Sequence, residues 1–337
     1  MYIKLKYYII YIYMDIKKIL EEEKPDVSKN TIKAYYTNLN KINKMITNQK
    51  EIKNLDFLTD SKKVLEVLSN LTNHTIKNNL VSVVVILGSN KAKYKDIIEE
   101  YNQEIKKLQA KIADKYDDNE KSDKQKENWI DYKDVLELLK TYKKDTKPLL
   151  EKDKDDLTKK EKDLIQQYLV LYLYSGKAFP IVRNDFADMK IVNDKYDMDN
   201  NKNYLVIPTN KKTPYFKLNE YKTSKYKGEF NIPLKDMELR KLIYNWIKIT
   251  NSPVLLLNLS GNRTTEKNTP MTANGISKYL NKIFKKHFNK TISTSLLRSI
   301  MITDKYSNNL STKEKKQLAN DMGHSKNIAE NVYNKID

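Results

Sequence analysis

The chain has no cysteine in its 337 residues. That excludes a disulfide framework, cysteine-ligated zinc and thiol nucleophiles, and it fits, without requiring, a reducing intracellular location. No apolar run approaches the roughly 20 residues that a bilayer-spanning helix needs. Histidine is scarce, with three in all. Arginine is scarcer still beside lysine: of 63 basic residues only Arg183, Arg240, Arg263 and Arg298 are arginine.

Lysine and tyrosine are abundant. The net charge is +19, 24 residues are tyrosine and 39% are hydrophobic. Such a chain is too apolar to stay disordered and long enough for two domains. Its charge favours a polyanionic partner, with nucleic acid first because neutralised phosphates release their counterions. The alternative is a solvated, lysine-coated surface. The start, "MYIKLKYYIIYIYMDIKK", has a lysine-flanked apolar run with no small-residue cleavage site. It reads as a strand or helix, or as residues ahead of a start at Met14, rather than as a signal peptide.

The pattern predicts a mainly α protein with a small antiparallel β-sheet. After an extension over 1–13, residues 14–113 read as an all-helical domain. "SKNTIKAYYTNLNKINKMI" offers Ser28 and Asn30 as caps, and Ile32, Tyr35, Tyr36, Leu39 and Ile42 follow at helical spacing. "DSKKVLEVLSNL", "NHTIKNNLVSVVVILGSN" and "KYKDIIEEYNQEIKKLQAKIADKY" give three more helices. Residues 114–127 carry dense charge of both signs without apolar periodicity and read as a linker. From 128 to 337 the expectation is an α+β domain. Two helices lead, the second stopped by Gly176. Short β-like runs follow at "MKIVND", "NYLVIP", "YFKLNEYKTS" and "EFNIPL", and helices close the chain.

A sequence this committed to lysine keeps arginine where lysine will not serve. The planar guanidinium grips two oxygens of one phosphate at fixed geometry, whereas an ammonium is a point charge. Arg183 lies in "VRNDF" where helix gives way to sheet, and Arg298 lies early in the apolar helix "STSLLRSIMITDKY". Arg240 reads as a surface residue, and Arg263 sits in a turn. Near the chain end "GHS" places His324 nine residues before Tyr333 (333 − 324). On one unbroken helix, nine steps of about 100° would set the two on opposite faces. Gly323 can end the preceding helix and Ser325 can cap the next. An apolar stripe of Ile328, Val332 and Ile336 would then seat the last helix and bring Tyr333 back towards His324.

Two arginines, a histidine and a near-terminal tyrosine in that order resemble the tyrosine recombinases, the phage-integrase family. "VRNDF" is similar to the family's first-arginine motif, with Asp185 in the acidic place. "LLRS" resembles its second-arginine helix, and "MGHSKNIAENVY" its histidine-to-tyrosine signature. "YKTSKYKGEFNIPL" resembles the β-hairpin that carries the catalytic lysine, which puts Lys222 in that role with Lys225 as the alternative. "NTIKAYYTNLNKI" resembles the opening helix of the family's core-binding domain. The resemblance covers nearly the whole chain after Met14. It departs at Ser295, where the family has a histidine. A serine can bond a phosphate oxygen but cannot carry a charged proton.

The resemblance implies an enzyme that cuts and rejoins double-stranded DNA through a 3′-phosphotyrosyl intermediate. Tyr333 would be the nucleophile, Arg183 and Arg298 would stabilise the phosphate, and Lys222 would protonate the leaving 5′-oxygen. His324 would assist with the tyrosine's proton. No metal or other cofactor is implied, because the arginines fill the electrostatic role. It also implies a homo-tetramer on paired sites. Only four residues follow Tyr333 (337 − 333), too few for a separate docking helix, so the expectation is a monomer in free solution. Competing readings are a type IB topoisomerase, a DNA-binding relative that has lost catalysis, and a lysine-rich structural protein.

Overall fold

Local capping chemistry decides where most helices begin. In the computed structural model, which describes residues 15–117, 119–259, 269–308 and 310–336, Ser28 accepts the Thr31 N–H and opens α2 (Lys29–Thr47). Ile32, Leu39 and Ile42 are buried along one face of that helix. α1 (Ile16–Glu23) precedes it, and Asp60 and Thr72 cap α3 (Ser61–Leu68) and α4 (Asn73–Leu87) in the same way. From Leu80 onward α4 is apolar on most sides, and the helix packs against α1, α2 and α5 (Lys95–Asp117). It is therefore the centre of a helical unit whose core is separate from that of the rest of the chain. Tyr101 on α5 donates to the Leu58 carbonyl at 2.8 Å, which satisfies its buried hydroxyl.

The chain separates into two compact units between Asp118 and Asn119. Of the segment 114–127, expected as a linker, most is helical: α5 runs on to Asp117, and α6 (Asp123–Asn128) follows. A capping box in which Ser122 and Gln125 satisfy one another's backbone explains α6, which has no apolar stripe to announce it. The extension 1–13, the candidate start at Met14 and the Arg263 turn lie outside the described residues.

In the second unit α7 (Tyr132–Thr146) packs on α8 (Lys159–Leu173), whose residues from Ile165 onward are buried on every side. The Gln166 side chain bonds both the carbonyl and the N–H of Leu257, so a buried amide stands in for a missing strand neighbour. After α8 come β1 (Lys190–Val192), β2 (Tyr204–Val206), β3 (Tyr215–Leu218) and β4 (Phe230–Pro233), in spatial order β1-β2-β3-β4. The sheet is mixed, which corrects the expected antiparallel one: β1 and β2 are parallel, with Lys190 opposite Tyr204. The loop 193–203 brings the chain back to run in the same sense. The free side of β1 is met instead by Pro253 to Leu255, whose backbone bonds Ile191 and Met189. β3 also ends earlier than expected. Asn203 Oδ1 captures the N–H groups of Asn219 and Glu220, and residues 219–229 leave the ladder to form a loop with one helical turn, α9 (Ser224–Lys227).

Four further helices complete the unit: α10 (Met237–Thr250), α11 (Ala273–Phe288), α12 (Thr294–Ser307) and α13 (Thr312–Asp321). A short α14 (Lys326–Ile328) runs into a π-turn over Ala329–Tyr333. Among the described residues, no helix is long and apolar enough to cross a membrane.

Trp246 on α10 is wholly buried and donates its indole N–H to the Leu255 carbonyl at 2.8 Å. Trp246→Ala is expected to lower the stability of this unit by about 3–5 kcal/mol. Urea unfolding followed through the remaining Trp129 checks this, and a loss below about 1 kcal/mol would contradict the packing described.

Candidate active site

Arg298 is only 1% exposed, although it carries the most persistent charge of any side chain. Its position in the first half of α12 points it inward, and two carbonyls receive it. Nη1 donates to Ile181 O at 2.8 Å and Nη2 to Met322 O at 3.1 Å. The guanidinium carbon lies 4.8 Å from the centre of the Tyr333 ring. Burial lowers the Arg298 pKa, and the neighbouring Tyr333 opposes that shift. One donor, Nε–H, is buried without a partner.

The corner that carries His324 is built by the end of α13. Gly323 adopts φ +74°, a conformation that L side chains resist. Its N–H donates to Asn320 O at 2.9 Å, and the His324 N–H donates to Ala319 O at 3.1 Å. This is the paired hydrogen bonding of a Schellman C-terminus. Ser325 then caps α14 by accepting the Ile328 N–H. His324 is 4% exposed and stacks on Tyr333, with ring centroids 5.1 Å apart and planes 16° from parallel.

The apolar stripe expected to seat the last helix is corrected by the π-turn. Asn334 N–H bonds back five residues to Ala329 O at 2.9 Å, so the face that meets the core carries Ala329 and Tyr333. Ile328 and Ile336 are exposed. The tail is tied to its own chain: Lys335 N–H donates to Thr303 Oγ1 at 2.9 Å and Ile336 N–H to Asn119 O at 3.1 Å.

Burial, followed by the charges of Arg298 and Arg183, pulls the His324 pKa down to about 4. The ring is therefore neutral near pH 7. Nδ1 lies 3.2 Å from the Ser325 carbonyl, which can only accept, so Nδ1 carries the proton. Nε2 is left as a bare acceptor, buried and without a partner. Arg183 is half-buried beside the same corner, with Nη1 3.9 Å from where a Cβ on Gly323 would stand. Its N–H donates to Asp185 Oδ2 at 3.1 Å, and its carbonyl accepts the Tyr174 hydroxyl at 3.1 Å. Burial raises the Asp185 pKa, against the pull of Arg183 and Arg298.

Four of the five residues singled out from sequence, Arg183, Arg298, His324 and Tyr333, thus meet in one cluster. Lys222 is exposed in the β3–β4 loop, and so is Lys225. The lysine that reaches the cluster is Lys227, whose Nζ donates to His324 O at 3.2 Å, while Thr223 Oγ1 donates to Gly323 O at 2.9 Å. Thr223 and Lys227 are one helical turn apart, a spacing visible in "TSKYK" once that stretch is read as helix instead of strand. Ser295 is exposed on the first turn of α12. Arg240 is no plain surface residue: its Nε and Nη2 both donate to the Leu234 carbonyl, a structural use of the fork.

No family model matches the chain, and no curated protein is similar to it in sequence. Among solved structures, the crystal structure of XerA recombinase aligns with 96% of this chain and 93% of its own, at 12% identity and a TM-score of 0.38. A likeness of that size carries no chemistry, which has to come from the cluster itself.

The folded-state pKa of His324 lies below the unfolded value near 6.5. Its stabilising contribution is therefore complete above about pH 6.5 and is lost as the pH falls towards 4. Wild type is expected to lose about 2 kcal/mol from this source between about pH 7 and about pH 5, and His324→Gln to lack that component. Urea unfolding at the two pH values measures it, and equal slopes would contradict a buried, neutral His324.

Proposed function

We propose that this chain cuts and rejoins double-stranded DNA through a covalent phosphotyrosyl link at Tyr333, as a site-specific recombinase does. The observation that carries this reading is the pair of buried, unpartnered nitrogens, Arg298 Nε and His324 Nε2, beside one tyrosine ring. An orphaned buried polar atom costs about 1–3 kcal/mol, so two in one place call for a ligand with both acceptor and donor character. A phosphodiester held next to a phenol offers both: Arg298 and Arg183 donate to its non-bridging oxygens, and His324 Nε2 accepts the phenolic proton.

In the proposed step Tyr333 Oη attacks phosphorus and its proton passes to His324 Nε2. The bond from phosphorus to the 5′-oxygen breaks, and that oxygen takes a proton from an ammonium on the β3–β4 loop. Lys227 is the ammonium already at the corner; Lys222 and Lys225 stand on the same loop. Rejoining is the reverse, with the 5′-hydroxyl displacing the tyrosine. The arginines stabilise charge that develops on phosphate oxygens in a site shielded from water. The net charge of +19 supports a DNA partner, bound through the second unit and assisted by the helical one. The tail anchored to its own chain supports a monomer in free solution, with protomers gathering on paired sites.

A second reading, a DNA-binding relative with weakened catalysis, rests on Ser295, which stands where the resembled family has histidine. Incubation with a nicked duplex that traps the covalent state separates the two. Wild type is expected to give a protein–DNA adduct on a denaturing gel, and Tyr333→Phe to give none while still retarding the duplex. No adduct from wild type at any salt would favour the second reading, and an adduct from Tyr333→Phe would refute the nucleophile.

A further inference from the structure

One aromatic ring of the second unit stands almost wholly in water. Tyr226 is 91% exposed, the most exposed large hydrophobic side chain described. It lies on α9, and the residues on either side of it are fixed. Thr223 and Lys227 bond the Gly323 and His324 carbonyls. Tyr221 donates to the carbonyl of Gly228, which ends the turn at φ +72°. The turn is thus secured to the candidate active site at its base, while Tyr226 projects outward. Around it Lys222, Lys225 and Lys227 are exposed. Of the two acidic residues on the loop, Glu229 is held by Lys217 at 2.8 Å, and Glu220 is exposed.

A π face among ammonium groups matches one chemistry well. An unstacked nucleobase offers a flat apolar surface, and the phosphates on either side of it offer negative charge. A second copy of the same surface is a poor occupant, because it would set lysine against lysine on protomers that each carry +19.

We propose that Tyr226 is a base-stacking residue that packs on a nucleobase laid open beside the broken strand, with the Lys222 and Lys225 ammonium groups on the flanking phosphates. This rests on the reading of the site as one that cuts DNA. Cleavage leaves a strand end beside the phosphotyrosyl link, and the base there loses one stacking neighbour. A ring carried on the turn that bonds the His324 corner is at hand to replace it. The contact is indifferent to sequence, because every base has a π face, and it favours broken or gapped duplex over intact duplex.

The test uses the full-length protein with two duplexes of one sequence, one intact and one with a short central gap whose exposed base is the fluorescent 2-aminopurine. Wild type and Tyr226→Phe are expected to quench the probe and to prefer the gapped duplex. Tyr226→Ala is expected to lose quenching and at least about fivefold of that preference. Undiminished quenching and preference in Tyr226→Ala overturn the proposal. So does a dimer in sedimentation that Tyr226→Ala converts to monomer, because the ring would then be a protein contact. Adduct formation on a nicked duplex reports separately on cleavage. An adduct from a protein whose gap preference ignores Tyr226 refutes this proposal alone. A Tyr226-dependent preference in a protein that forms no adduct supports the stacking contact and refutes the cleavage reading.

Discussion

A buried guanidinium has to be answered by acceptors, and Arg298 draws the second unit together by that demand. Its partners come from distant parts of the chain: Ile181 on the stretch between α8 and β1, Met322 at the end of α13, and the Tyr333 ring on the closing turn. Taking such a charge out of water is expensive unless the geometry around it is complete. Here it is complete except at one nitrogen, and the histidine nearby is complete except at one nitrogen too. Among the described residues of this unit, Asn281 Oδ1 and Tyr306 Oη are also buried without a partner, whereas other buried groups are satisfied. Gln166 bonds both groups of Leu257, and Trp246 bonds Leu255. What sets the vacancies of Arg298 and His324 apart is that both lie beside the Tyr333 ring.

The helices were legible because their caps and apolar spacing are local. Ser28 opens α2 where the sequence suggests it should, and Gly323 closes α13 through the bonds that a left-handed residue permits. The cluster of Arg183, Arg298, His324 and Tyr333 was legible for a different reason. In a chain that almost always chooses lysine, an arginine is conspicuous, and Gly323 and Ser325 mark a helix end and a helix start on either side of His324. The features that were not legible depend on non-local partners. The parallel pairing of β1 with β2 is set by a return loop and by Pro253 on the far edge. The end of β3 is set by the side chain of Asn203, remote in sequence. The resemblance to a lysine-bearing hairpin points to Lys222, and the approach of Lys227 to His324 depends on a helical turn that "YKTSKYKGEF" does not announce.

The closing turn shows how a local irregularity can serve a site. A regular helix through residues 326–336 would have buried Ile328 and Ile336, the expected stripe. The π-turn instead puts Ala329 and Tyr333 on the core side and leaves both isoleucines in solvent. A wider turn strains the ladder, and such turns are frequent where a side chain must be aimed. Tyr333 gains contact with His324 and Arg298 together, and the backbone beyond it is fastened to Thr303 and Asn119.

Arg298 acts through its fork, with two nitrogens on two separate carbonyls, and not through charge alone. The most direct measurement compares Arg298→Lys with Arg240→Lys for DNA affinity and for the rate of adduct formation on one nicked duplex, with unfolding midpoints recorded for both. Lysine keeps the charge, but its single nitrogen cannot reach the two carbonyls from separate positions, as Nη1 and Nη2 do, while presenting a further N–H to a phosphate. Arg298→Lys is expected to retain DNA binding and to lose adduct formation by about two orders of magnitude or more, and Arg240→Lys to have no comparable effect. Equal losses in the two variants, or an Arg298→Lys protein that forms the adduct at the wild-type rate, would contradict that role of the fork.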